Sequence, residues 1–409
     1  MDIAAHRGRA PARRSHVIVL AGHAPSHLEQ HVRRRIAFID YLPTHYRRGL
    51  YEELSRRMAA DFYFYADERE RYWNRRLPLV RDGDFHRIEL RRMRIAGESF
   101  MPGIVRTLRS ERYDAVIKSL NGRVMLPLTY LTARSRGVAF VLWTGMWYHP
   151  RTAFHRLSRL PTESVYREAD AIVAYGEHVR RFVAAAPGVD PAKVFIAGQA
   201  VDAARFAAVE PGFDEQVADI LYVGQFEERK GLPFLLEAFA QLRAQGVPAR
   251  LRLIGNGSME EAIRRRAADD EAIEFVGHVD QDDLPGHLAA ARCLVLPSIT
   301  TPLDREPWGL VCNEAMHAGI PVVATQAVGA AAGGLVRDGR NGFVVPERNA
   351  EALAAALLPL LLDAGTAREM GARARTDVSG FSHERMADGF EAAVEHAIAA
   401  RSGRPIPSR

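Results

Sequence analysis

Two glutamates eight positions apart, Glu306 and Glu314, frame a Trp-Gly-Leu in the stretch EPWGLVCNEAMHAGIPVVAT (306–325), which runs on into an apolar strand. Glu306 stands before the expected start of a helix, Glu314 stands inside it, and Gly309 lies between them. Eight residues of continuous helix span on the order of 12 Å. Carboxylates that far apart can grip two ends of an extended, polyhydroxylated ligand. Gly309 lets such a ligand approach the backbone, and the N–H groups that follow are free to meet an anion. The chemistry on offer is that of holding hydroxyls and phosphate together.

Two further strand-to-helix junctions in the same half of the chain have related chemistry. VGQFEERKGLP (223–233) passes from an apolar strand through a polar loop to Lys230, Gly231 and a Pro233 suited to a helix's first turn. LIGNGSMEE (253–261) has Gly255 and Gly257 for a tight turn around Asn256, and Ser258 with Glu261 in capping-box spacing. Taken alone, Gly-Asn-Gly-Ser is ordinary turn chemistry. Glu260 stands where a dinucleotide fingerprint has its third glycine. Three such junctions in order are harder to assign to chance. Lys230 is singled out by composition as well: the chain has three lysines, Lys118, Lys193 and Lys230, against 52 arginines. A lysine that persists beside Arg229 points to a place that requires a compact ammonium.

The elements that must position these residues follow from periodicity. Apolar runs at 220–224, 250–255, 273–277, 293–298, 321–325 and 342–346 alternate with helical patterns, as in a parallel sheet covered on both faces. The first half repeats the theme less regularly, with strands expected at 35–43, 61–67, 113–120 and 137–147 and a helix at 48–58. The expectation is α/β: two doubly wound parallel-sheet domains facing a cleft, with ligands outside the carboxyl ends of the strands. The boundaries are a tail at 1–34, a first domain at 35–205, a second at 206–378 and a closing helix at 379–400. Residues 1–200 carry 34 basic against 20 acidic residues, or +14, and the remainder 21 against 30, or −9. A basic half suits an anionic partner such as a membrane surface. No apolar run is long enough to span a bilayer, and Cys293 and Cys312 suggest no disulfide framework, so a cytoplasmic protein is expected.

VGQFEERKG, LIGNGS, EPWGLVCNEAMHAGIPVVAT and GGLVRDGRNGFVVP (333–346) resemble the carboxyl-terminal signature of retaining glycosyltransferases of family four, which have the GT-B fold. The resemblance implies a hexose moved from a UDP- or GDP-sugar to a glycan or lipid-linked acceptor hydroxyl. It implies retention, no metal and no other cofactor, and a role in cell-surface polysaccharide or glycolipid synthesis at the inner face of the membrane. Glu306 would hold donor-sugar hydroxyls, Glu314 the ribose, and Lys230 the phosphates. Gly309 and Leu310 would meet sugar and pyrophosphate through their backbone. Gly224, Gln225, Arg229, Gly255, Asn256, Gly257, His278, Val279, Trp308 and Val311 complete the expected donor set. Gln225 stands where the family usually has arginine, and Arg229 is positioned in sequence to compensate. His149, in LWTGMWYHP, is the expected catalytic histidine beside Glu306 and Lys230. His45, Arg47 and Arg48 are expected to serve the acceptor, with Gly49 allowing close approach. FSHERMADGFEAAVEHAIAA (381–400) resembles the family's terminal helix, which crosses back to the first domain.

Other constellations are weaker. His27 and His31 have i, i+4 metal-ligand spacing in the tail, and Asp82-Gly-Asp84 reads as a polar loop. A nucleotide-sugar epimerase on the same fold and a basic nucleic-acid binder are the alternative functions; Tyr63, Phe64 and Tyr65 alternate like a core strand more than a base-stacking platform, and no nucleic-acid partner is expected on the main reading.

Overall fold

The computed structural model describes residues 33–66, 79–80, 82–95, 97–212, 214, 216–267 and 270–403. The His27–His31 pair lies outside them. Among the described residues nine strands fall in the first half: β1 (Arg35–Asp40), β2 (Ala59–Phe64), β3 (His86–Arg87), β4 (Met93–Ile95), β5 (Glu98–Phe100), β6 (Ala115–Ser119), β7 (Ala139–Thr144), β8 (Ala171–Ala174) and β9 (Val194–Ile196). Seven of them form one parallel sheet in the order β3-β2-β1-β6-β7-β8-β9, and β4 and β5 make a separate antiparallel hairpin. The second half contributes β10 (Ala218–Val223), β11 (Ala249–Ile254), β12 (Ile273–Gly277), β13 (Cys293–Leu296), β14 (Val322–Thr325) and β15 (Gly342–Val345). They form a parallel sheet in the order β12-β11-β10-β13-β14-β15. In both sheets the order reverses beside the first strand, so each has a crevice at its carboxyl edge.

The helices cover both faces because the central strands are buried on both. On one side of the first sheet lie α1 (Arg48–Arg57) and the terminal helix; on the other lie α2 (Gly103–Ser110), α3 (Met125–Ser135), α4 (Ala153–Glu168) and α5 (Glu177–Ala184). The second half adds α6 (Ala203–Ala207), α7 (Leu232–Ala244), α8 (Glu260–Ala267), α9 (Leu284–Ala289), α10 (Val311–His317), α11 (Gly329–Ala332), α12 (Ala350–Leu362), α13 (Ala364–Val378) and α14 (His383–Ser402). Ser382 caps α14 by accepting from the Arg385 N–H. The helix then returns to the first sheet, where Phe390 meets Phe38 at 5.7 Å and Trp143 at 5.3 Å. Gly389 is required there, since a Cβ would sit 2.3 Å from the Ile196 carbonyl.

Several local expectations need correction. Strands β8 and β9 were not expected, since runs of three and four residues are too short to show a period. The Ser258–Glu261 capping box does not form: α8 starts at Glu260, and Glu261 faces Arg265 one turn on at 2.5 Å. Gly49 does approach closely, but against the His383 ring of α14 and not toward a ligand. Tyr63, Phe64 and Tyr65, by contrast, are all buried, as expected of a core strand.

Candidate active site

The loop between β13 and α10, residues 297–310, carries Glu306 into the crevice. Its carboxylate is buried and receives three donors at one oxygen: Lys230 Nζ at 2.5 Å, Arg229 Nη1 at 3.1 Å and Ser298 Oγ at 3.3 Å. Burial pushes the Glu306 carboxyl up, but the Lys230 and Arg229 charges and these hydrogen bonds outweigh it and hold it below the usual range. Lys230 ends a short 3₁₀ turn, Glu228–Lys230, and Gly231 follows at φ 66°. A Cβ on Gly231 would lie 2.0 Å from the Pro297 carbonyl, so the Lys-Gly pair is where the two loops cross. The Ile299 N–H bonds the Arg229 carbonyl at 2.8 Å and fastens that crossing.

Arg229 links this cluster to the neighbouring cavity. Its Nη2 donates to Gln225 Oε1 at 3.2 Å, and its Nε lies 3.4 Å from Asp304. An arginine is thus present near the first motif, reached from four residues downstream. Gln225 in turn lines a cavity of ≈ 170 Å³ with Gly224, Gly255, Asn256, His278, Val279 and Glu314. Glu314 stands in the first turn of α10, half-buried, and burial pushes its carboxyl up to about 7 while Arg205 pulls it down. The cavity forms because Gly224 and Gly255 let two loops touch: a Cβ on Gly255 would be 1.9 Å from the Gly224 carbonyl.

Not every expected residue gathers here. Trp308 is buried in the core, its Nε1 donating to Asn313 Oδ1 at 2.7 Å and its ring 5.8 Å from Phe381. Gly309, at φ 90°, serves packing: a Cβ would meet Leu296 Cδ2 at 2.6 Å. Leu310 and Val311 open α10, and Gly257 packs against the Phe226 backbone; neither cavity is lined by them. His149 is displaced onto α4 and α5, 3.9 Å from Glu163 and 4.7 Å from the Phe182 ring. His45 meets the Tyr46 ring edge-to-face at 5.2 Å, and Arg48 is exposed and paired with Glu52 at 2.7 Å. Arg47 is buried over the Trp143 ring at 4.2 Å and donates to Tyr175 at 2.9 Å. The three acceptor-side residues therefore line neither cavity.

A second cavity, of ≈ 280 Å³, lies nearby. It opens at the carboxyl ends of β6 and β7 between Asn121, Trp147, Tyr148 and Tyr175 on one side and Asp304, Arg305 and Pro307 on the other. Trp147 spans the crevice: its Nε1 donates to the Glu306 carbonyl at 3.0 Å, and the Arg305 guanidinium lies over its ring at 3.7 Å. His178 adds a second tie, Nε2 donating to the Pro307 carbonyl at 3.0 Å, with burial pushing it down to about 4 and hence neutral. WTGMWY directly after an apolar strand is the sequence signal that points to this wall. Ser298, after β13, offers none.

Comparison with known proteins bears on the fold. Residues 205–377 match the family model described as "Glycosyl transferases group 1". A D-inositol 3-phosphate glycosyltransferase of Geodermatophilus obscurus is 34% identical over 271 residues, 60% of this chain and 57% of that one. A glycogen synthase of Mycobacterium tuberculosis is 31% identical over 214 residues, 51% of this chain and 50% of its own. The chain thus spans about half the length of the curated relatives it matches. The crystal structure of Anabaena Alr3699/HepE in complex with UDP and glucose superposes with a TM-score of 0.65 at 18% identity, covering 87% of this chain and 98% of that one. The fold is GT-B. Among the described residues, no group of three His, Cys, Asp or Glu side chains is placed to hold a metal ion.

Proposed function

We propose that the protein transfers a hexose from a nucleoside diphosphate sugar, UDP- or GDP-linked, to an acceptor hydroxyl. The carrying observation is the Glu306 carboxylate clamped by Lys230 and Arg229, with Arg229 also bonded to Gln225 in the wall of the Glu314 cavity. Glu314 in a half-buried cavity is suited to a ribose, and the facing Gly224 and Gly255 loops leave room for the rest of the nucleoside. The diphosphate then extends toward Arg229 and Lys230. As the bond from sugar to phosphate breaks, negative charge grows on the departing diphosphate, and the buried Lys230 with the half-buried Arg229 stabilises it in place of a metal ion. Glu306, freed in part from those cations, accepts from sugar hydroxyls. Retention rests on the likeness of the motif stretches to family four.

The aromatic cavity is suited to the acceptor: Trp147, Tyr148 and Tyr175 give apolar faces for a sugar ring, and Asn121 gives a polar edge. The name of the Geodermatophilus relative is consistent with a polyol acceptor. Within this reading the protein works on the cytoplasmic side of a membrane, building a surface polysaccharide or glycolipid. Calorimetry with UDP, GDP, UDP-glucose and GDP-mannose tests the donor site, followed by turnover with glycan acceptors. Binding of one nucleotide class and release of its diphosphate only with acceptor is expected. No binding at millimolar ligand would refute the reading, and donor conversion without acceptor would make it an epimerase.

A further inference from the structure

Helix α4 carries apolar side chains on its outer face as well as its inner one. On the helices packed over a sheet the apolar stripe faces inward, yet Leu157 is 84% and Leu160 75% exposed. Ala153 and Pro161 are exposed as well, so spacings of four, three and one residues make one apolar ridge along the outer face. The buried positions of the helix's second half are Glu163 and Tyr166, pointing the other way. Single exposed leucines are ordinary; a continuous ridge is not.

The charge around the ridge has one sign. From Arg151 to Thr162 there are three arginines, Arg151, Arg156 and Arg159, and no carboxylate. Arg159 leans on the buried Glu163 at 2.7 Å, whereas the exposed Arg151 and Arg156 side chains have no carboxylate partner among the described residues. The ridge also lies next to the aromatic cavity. Pro150 lines that cavity, and the Arg151 N–H bonds the Pro302 carbonyl at 2.6 Å, beside Leu303, itself 65% exposed.

We infer that this ridge is an interfacial docking surface for an anionic lipid bilayer, with Leu157 and Leu160 entering the headgroup boundary and Arg151 and Arg156 meeting lipid phosphates. Basic residues flanking an exposed apolar ridge complement an anionic leaflet, whereas a nucleic acid would leave the leucines in water. Seated this way, the aromatic cavity opens close to the lipid surface. The inference deepens the transferase reading by making the acceptor lipid-borne.

The test is flotation of the full chain with vesicles of phosphatidylcholine alone and with vesicles of phosphatidylcholine mixed with anionic phosphatidylglycerol. Parent protein is expected on the anionic vesicles and not the neutral ones. Leu157→Ser with Leu160→Ser lowers that binding on the order of tenfold, and Arg151→Glu with Arg156→Glu does so at least as strongly. All four side chains being exposed, both variants should melt with the parent. Unchanged binding in the serine variant, equal binding of the parent to neutral vesicles, or binding to neither would overturn the inference. So would self-association of the parent that the serine variant loses. Flotation needs neither donor nor turnover. A protein that floats but transfers nothing refutes the transferase reading alone; one that glycosylates a soluble acceptor yet ignores vesicles refutes the docking surface alone.

Discussion

Burial pushes the Glu314 carboxyl up to about 7, against an ordinary value of 4.5, and this has a consequence for stability. Between those two values the unfolded chain has released its proton and the folded one has kept it. Stability therefore falls as pH rises through this window. Glu314→Gln removes the penalty, so its advantage over the parent in thermal melts should grow from pH 5.5 to pH 8.5, reaching about 1–2 kcal/mol. A constant difference across that range would contradict it. The lysines show a limit of reading composition. All three are buried. Lys118 donates to the Ser119 carbonyl at 2.6 Å and the Asn121 carbonyl at 2.8 Å, shaping one wall of the aromatic cavity. Lys193 donates to the Arg167 and Ala169 carbonyls at 2.6 and 2.8 Å and closes the end of α4. An arginine-rich chain keeps lysine where a small cation must be enclosed. That rule found Lys230, but it marks burial and not ligand chemistry.

At the scale of elements, the loop from β13 to α10 is held from both halves. Trp147 in the first half fixes the Glu306 carbonyl, and Lys230 in the second fixes its carboxylate. Trp147→Phe keeps the ring against Arg305 and loses the N–H, so stability should drop by about 1 kcal/mol. Turnover should fall several-fold more than donor affinity does, because the carboxylate loses its placement. An equal loss in both would show that Trp147 only binds. The strand-loop-helix junctions of the second half were legible because glycines, Lys230 and the glutamates act over short sequence distances. Trp308 was misplaced for a physical reason: a tryptophan in a glycine-rich loop looks accessible until the tertiary fold brings Asn313 and Phe381 against it. His149 was misplaced because the six residues after β7 turn back onto α5, and no local signal records that turn.

For the whole molecule, the two sheets are joined by a helix whose chain leaves one half and packs on the other. Phe390→Ala opens a hole between Phe38 and Trp143 and should cost about 3–5 kcal/mol in denaturant unfolding. A loss under 1 kcal/mol would show that α14 is only loosely docked. Both sheets could be anticipated from apolar periodicity, and the returning helix from the likeness of residues 381–400 to the family's terminal helix. Their joint product, an aromatic cavity opposite the Glu306 loop, could not, since its walls come from residues some 160 positions apart. The central claim is that Lys230 neutralises charge developing on a departing nucleoside diphosphate. Its most direct test is turnover of Lys230→Ala at saturating acceptor and donor, with donor affinity measured alongside. The account predicts a loss on the order of a hundredfold in turnover with a modest change in affinity. Near-parental turnover in Lys230→Ala would contradict it.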